Sequence, residues 1–369
     1  MRNPVIYFLF ITFLAVSTSS AQDLAQAQRM LESGDFQKAK AALTSILQAQ
    51  PKHKQALHLR GQARAALGDF YGAISDFTHA LEVDSTQAEV YNDRGLAKVN
   101  LGDDEGGIED FDKAIKFNAK LSDAYTNRGL AKYNIEDLQG AYFDFSRALE
   151  LGPADADAYF NRAVVKAELG EFVSAIDDYT RAIELDKDDA TLYNYRGIAH
   201  YSVGNLEKAI ADYDQAIKLD PNDPVKFENR ALAKSDLEDF EGAIADFDKA
   251  ISLNEEDPET YYLRGVIYYY MEEYDEAIAD FTEAIRLDDA NPIYYDNRAL
   301  SRAAKEDYAG ALEDYSQSIS IYPNDPETYY QRALVKISMN NKYDACLDLK
   351  RAEELGSEEA RAEIRKHCK

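Results

Sequence analysis

Apolar and small residues return along this chain at helical spacing, in two short stripes for every 34 residues. In residues 88–121, Tyr91, Arg94, Gly95 and Lys98 fall at i, i+3, i+4 and i+7 on a first helix. Gly107, Phe111 and Ala114 fall at i, i+4 and i+7 on a second, and Leu101-Gly102-Asp103 breaks the chain between them. The second stripe reads small, aromatic, small in one segment after another: Ala73, Phe77, Ala80; Ala175, Tyr179, Ala182; Ala277, Phe281, Ala284. Small residues let two helix backbones approach while the ring fills the remaining gap. Asp223-Pro224, Asp257-Pro258, Asn291-Pro292 and Asp325-Pro326 set a capping side chain before a proline at a first helical position, so each marks a helix start.

The period is strict. Arg60, Arg94, Arg128, Arg162, Arg196, Arg230, Arg264, Arg298 and Arg332 stand 34 residues apart, each followed sixteen residues later by an aspartate, Asp76 through Asp348. The frame runs without insertion from residue 20 to 359 and gives ten repeats, starting at 20, 54, 88, 122, 156, 190, 224, 258, 292 and 326. The first repeat has Gln26 and Ala42 in the two slots, so both charges vanish together. Joint presence and joint absence predict a physical pair. Because the aspartate lies within the inward stripe of the second helix, it should meet a first helix, its own or that of the next repeat. The ladder expected is Arg128 with Asp144, Arg196 with Asp212, Arg264 with Asp280, and so on. A guanidinium meets a carboxylate through two parallel bonds, which fixes register, although burying both charges adds little net stability.

A single period over so long a chain predicts one stacked array and places function on the surface that the stack creates. The fold expected is all-α, a right-handed α-solenoid over residues 22–357 with a capping helix at 358–369. The net charge of −27 excludes phosphate backbones and anionic lipid as natural partners. Arg2, an apolar run at residues 5–16 and Ser19-Ser20-Ala21 make residues 1–21 read as a cleaved signal peptide ending before Gln22. That run is shorter than the roughly 20 residues needed to span a bilayer, and no later stretch is long enough. The expected location is therefore secreted or periplasmic.

These features together resemble the tetratricopeptide repeat family. Its pattern is matched, for example, by Tyr193, Gly197, Ala209, Tyr213, Ala216 and Pro221, and the likeness covers almost all of the chain after the leader. One departure recurs: arginine stands at the seventh position where the family has leucine, as in YNDRG, YTNRG and YFNRA. The resemblance implies that first helices line a concave groove. Some relatives clamp a chaperone tail there with lysines and asparagines, a combination this chain lacks; Asn127, Asn161, Asn229 and Asn297 match its middle element alone.

In such a groove the ninth position of each repeat would form an aliphatic row through Leu130, Val164, Ile198, Leu232, Val266 and Leu300. Tyr133, Phe160, Tyr201, Tyr262, Tyr269, Tyr270 and Tyr330 reinforce it, and Asp93, Asp123, Asp157, Glu228, Glu259 and Asp296 flank it. An exposed row of this kind marks an interaction surface. A more tightly wound array would bury it as core instead, and the exposure of Leu130, Ile198 and Val266 decides between the two.

The expected ligands are protein or peptide segments with apolar anchors and basic flanks. No cofactor and no metal site are expected. The histidines are scattered, and neither C-x-x-C, H-E-x-x-H nor a phosphate loop occurs, so the chain reads as a non-enzymatic interaction scaffold. Two other readings stand beside it: a holdase-like chaperone using the same groove, and an accessory factor in assembling cell-envelope glycan. Cys346 and Cys368, at one end of a chain read as exported, predict a disulfide that pins the capping helix.

Overall fold

The turn inside each repeat requires one residue in the left-handed backbone region, and the chain supplies it ten times at the fifteenth position. Gly34, Gly68, Gly102, Gly170 and Gly204 take it with φ between 77° and 82°, and Glu136, Glu238, Glu272, Glu306 and Asn340 take it with φ between 58° and 63°. Glycine does so without the Cβ clash that an L side chain meets there, which costs roughly 1–2 kcal/mol. Two residues later a new helix starts, capped in several repeats by an aspartate: Asp103 accepts from the Gly106 N–H and Asp137 from the Gly140 N–H.

The computed structural model describes residues 22–368. The expected leader, residues 1–21, lies outside them. The described residues form helices and turns and divide into two compact bodies, with the boundary between Lys187 and Asp188. In the first body, α1 (22–32) pairs with α2 (Phe36–Ala49), α3 (Lys54–Ala66) with α4 (Phe70–Val83), and α5 (Ala88–Val99) with α6 (Asp104–Phe117). The same body continues with α7 (Ser122–Asn134) against α8 (Leu138–Leu151) and α9 (Ala156–Glu168) against α10 (Phe172–Leu185). In the second body, α11 (Ala190–Ser202) pairs with α12 (Leu206–Leu219), α13 (Pro224–Asp236) with α14 (Phe240–Leu253), and α15 (Pro258–Tyr270) with α16 (Tyr274–Leu287). It ends with α17 (Pro292–Ala304) against α18 (Tyr308–Ile321), α19 (Pro326–Ser338) against α20 (Lys342–Glu354), and α21 (Glu358–His367).

Eight of the ten hairpins close on an aromatic ring of the second helix, and the first and last place Leu43 and Leu349 in that slot. Phe77, Phe111, Phe145, Phe247 and Phe281 are buried, as are Tyr179, Tyr213 and Tyr315 in the same slot. Burying such a ring contributes about 2–3 kcal/mol. The ring lies so close to the first helix that the eighth position must stay small. A Cβ on Gly129 would sit 2.8 Å from Phe145, and one on Gly197 would sit 2.6 Å from Tyr213.

The proline-led helices start as their sequences imply. Asp223 accepts from the Val225 N–H, Asn291 from the Ile293 N–H and Asp325 from the Thr328 N–H. At the far end, Gly356 takes a φ of 108° and Ser357 caps α21 by accepting from the Ala360 N–H. Ala360, Ile364 and Cys368 lie against Ala345, Leu349 and Ala352 of α20, and a disulfide joins Cys346 to Cys368.

Candidate functional site

The arginine of each first helix fixes where that helix sits. Arg128 donates from Nε to Asp144 Oδ2 at 2.8 Å and from Nη2 to Asp144 Oδ1 at 2.5 Å, while Nη1 donates to Asp112 of the preceding repeat. Arg264 does the same with Asp280 and Asp248, and Arg230 with Asp246 and Asp214. Arg94 and Arg332 reach Thr78 and Ser316 in place of the second acid. Arg196 meets Asp212 at 2.8 and 2.6 Å. The aspartate therefore belongs to the arginine's own repeat. The arginine's third bond, to the twenty-fifth position of the repeat before, couples neighbouring hairpins.

A second cation shares most of these carboxylates. Lys98 lies 2.8 Å from Asp110, Lys132 2.8 Å from Asp144 and Lys234 2.7 Å from Asp246. Burial alone would raise the Asp110 carboxyl, but Arg94 and Lys98 hold it below the usual range. Two repeats lack this support. His200 stands 4.0 Å from Asp212, burial lowers its imidazole, and its Nδ1 has no partner. Tyr268 takes the slot beside Asp280, where burial raises the carboxyl against the pull of Arg264 alone.

With one face of each first helix committed to this clamp, the opposite face carries the ninth position. In the first body Leu96 is 41% exposed, and Leu130 and Val164 are half-buried. In the second, Ile198 is 36% exposed, and Leu232, Val266 and Leu300 are half-buried. None is sealed beneath a neighbouring helix. Each body thus presents a partly accessible aliphatic row on its first helices.

Aromatic residues stand beside the row and contact one another. Tyr262 packs on Phe281 and Tyr294, with ring centroids 6.0 and 5.3 Å apart. Tyr269 meets Tyr270 and Tyr274, and Tyr270 is 71% exposed. Phe160 and Tyr330 are half-buried. The hydroxyls of Tyr133 and Tyr201 donate to Glu168 and Asp236, each one repeat further on. The bond to Asp236 and then burial push the Tyr201 phenol up to about 12. Three of the four asparagines at the sixth position have side-chain bonds that divide: Asn127 and Asn229 donate to Asn92 and Asn194, whereas Asn297 donates to the carbonyl of Ile293.

One feature of the first body was missed by sequence reasoning. A cleft of about 540 Å³ opens beside α3 and α5, with Leu31, Phe36, Phe70 and Leu96 on its walls and Gln62 and Asp93 at its polar edge. His58 and Gln62 both lie 2.7 Å from Asp93. The second repeat carries Gln62 where later repeats carry an aliphatic residue, so the row ends there in sequence, while Leu31 of α1 and Phe36 of α2 continue the apolar lining. Among the described residues no group of histidines, cysteines and acids is arranged to hold a metal, and no helix is long and apolar enough to cross a membrane.

Profiles described as tetratricopeptide repeat match residues 24–88, 88–121, 156–189, 190–223 and 258–291, and one described as TPR repeat matches 231–271. Together they span more than half of the chain. Among solved structures, PilW, described as a widely conserved type IV pilus biogenesis factor, is 20% identical over 54% of this chain and 93% of its own, with a TM-score of 0.51. YrrB, described as a TPR protein with an unusual peptide-binding site, is 24% identical over 48% of this chain and 92% of its own, with a TM-score of 0.45. A tetratricopeptide repeat protein from Parabacteroides merdae is 20% identical over 68% of this chain and 99% of its own, with a TM-score of 0.48. At these identities the likeness concerns the fold. No curated protein matches the chain.

Proposed function

We propose that this chain, which belongs to the tetratricopeptide repeat family, is a non-enzymatic scaffold, exported from the cytoplasm, that holds peptide segments of partner proteins against the outward faces of its first helices. The observation that carries this reading is the accessible aliphatic row at the ninth position, Leu130 and Val164 in one body and Ile198, Leu232, Val266 and Leu300 in the other. A solvated helix face would place polar side chains there. Apolar surface kept open on a rigid frame favours docking of apolar anchors, and the surrounding acids favour a segment with basic flanks. Export rests on residues 1–21, with their apolar run and small residues before Gln22.

A photo-crosslinking amino acid placed at Leu130, Ile198 or Val266 tests the docking face, with Phe143, 74% exposed on a second helix, as the control position. One dominant partner captured from the row and not from Phe143 supports the scaffold. Capture from Phe143 alone overturns it, and a broad set of unfolded clients favours a holdase instead. N-terminal sequencing of the exported chain should begin at Gln22.

A further inference from the structure

The cleft on the first body is built from departures that the repeat fold does not require. The twelfth position of a repeat holds Tyr133, Tyr201 or Tyr269 elsewhere, but α3 places Ala65 there and Ala66 beside it. Both line the cleft, together with Leu31 of α1 and Leu96 of α5. The ninth position is aliphatic in the eight later repeats and Gln62 here, and the sixth is asparagine in four repeats and Asp93 here. Small side chains thus open the space, and its polar edge carries groups that other repeats do without. At about 540 Å³, with apolar walls and a few polar groups, it has the size and lining of a ligand site.

That edge is rich in acceptors. Gln62 Nε2 and His58 Nε2 both lie 2.7 Å from Oδ2 of Asp93, while Oδ1 meets Asn92 at 3.4 Å, longer than an ordinary hydrogen bond. Asn100 donates to the carbonyl of Leu96 at 2.8 Å, so its side-chain oxygen, like that of Gln62, remains to accept. Among the described residues that line the cleft there is no lysine or arginine. The neighbouring cations of α3 and α5 are committed to buried aspartates, Arg60 and Arg64 to Asp76, Arg94 and Lys98 to Asp110. A chain of net charge −27 presents here an apolar hollow with a carboxylate on its lip and no lysine or arginine to neutralise it.

We propose that this cleft seats one large apolar side chain of a docked peptide segment, and that Asp93 holds a lysine or arginine next to it in that segment. This rests on the docking role given above to the first helices, and names where on the first body the anchor goes. A side chain of the size of leucine or phenylalanine removes the faces of Leu31, Phe36 and Leu96 from water, and a cation beside it supplies the donors that the acceptor edge lacks. An acidic segment meets repulsion from Asp93, and a wholly polar one leaves the apolar walls wet.

The test uses the full chain with a photo-crosslinking residue at Ala66, which is exposed in the cleft lining, and a library of short random peptides. Captured peptides should be enriched in a large apolar residue within a few positions of a lysine or arginine. Ala65→Tyr fills the cleft with the side chain that three other repeats carry at the same position, and should weaken this capture by roughly tenfold or more. Asp93→Asn, again a residue that other repeats carry there, should keep the apolar preference and lose the basic one. Both variants are first checked for an unchanged urea unfolding curve. Capture that survives Ala65→Tyr, a basic preference unchanged in Asp93→Asn, or crosslinks that join two copies of the chain overturn the anchor site. Peptide capture by the same crosslinker at Ile198 or Val266 then leaves the docking face standing, and capture at none of the three positions overturns both.

Discussion

Arg128 and Asp144 meet through two parallel hydrogen bonds, and the same guanidinium reaches back to Asp112 in the hairpin before it. Asp144 is buried and also holds Lys132, so it neutralises two cations at once. Replacing it leaves Arg128 and Lys132 without their shared counter-charge. Asp144→Ala should cost about 3–5 kcal/mol, read by urea unfolding and by hydrogen exchange in α7 and α8. Arg128→Leu and Lys132→Leu combined with Asp144→Leu should recover much of that loss. If Asp144→Ala alone is nearly neutral, the clamp contributes register without stability.

The repeat with Tyr268 at the eleventh position isolates the effect of the second cation. Asp280 is raised by burial with Arg264 as its guanidinium partner, while Asp110, served by both Arg94 and Lys98, is lowered. Tyr268→Lys should therefore bring the Asp280 carboxyl down, measured by carbon NMR of its side chain across acid pH. A lowered folded value adds stability that is present above the unfolded carboxyl range and lost as pH falls through the folded value. An Asp280 titration that does not move would show that Tyr268 leaves no room for an ammonium at that oxygen.

The period made each hairpin legible, since capping, turn and inward stripe all recur within one repeat. It also located the arginine's main partner, because two charges that vanish together from the first repeat, at Gln26 and Ala42, behave as a pair. The bond to Asp112, Thr78 or Ser316 was not legible. The twenty-fifth position varies in residue type, so no constant pattern betrays it. The cations at the eleventh position could have been found, because Lys98, Lys132, Lys166 and Lys234 stand on the same period as the arginines, broken at His200 and Tyr268. The burial of Asp296 beside Ser318 and Thr328 could not have been, since it depends on how side chains of separate helices meet in three dimensions.

Asp296 supplies a pH-dependent prediction on stability. Its folded value of about 6 lies above the ordinary carboxyl value of 3.8, so the folded state binds the proton more tightly than the unfolded chain. Stability contributed at this site is greatest below the unfolded value and falls as pH rises through the folded one, by at most about 3 kcal/mol in all. Asp296→Asn mimics the protonated form. It should stabilise the second body at about pH 7 and have little effect at about pH 4, compared by urea denaturation at the two values. An equal effect at both would mean that Asp296 is charged throughout.

The disulfide between Cys346 and Cys368 closes a loop with a sequence separation of 22 and carries α21 onto α20. On a chain-entropy account such a loop is worth about 3 kcal/mol, and α21 is only 10 residues long, too short to persist by itself in water. Its buried contact is modest: Ala360 is fully covered, while Ile364 and Cys368 are half-buried. Reduction, or Cys346→Ser, should therefore release α21 and expose Leu349 and Ala352 beneath it, without unfolding the earlier hairpins. Amide exchange in residues 358–367 should accelerate by up to roughly a hundredfold, while amides in α13 and α14 keep their protection. Unchanged exchange after reduction would mean that the apolar contact with α20 holds the helix unaided.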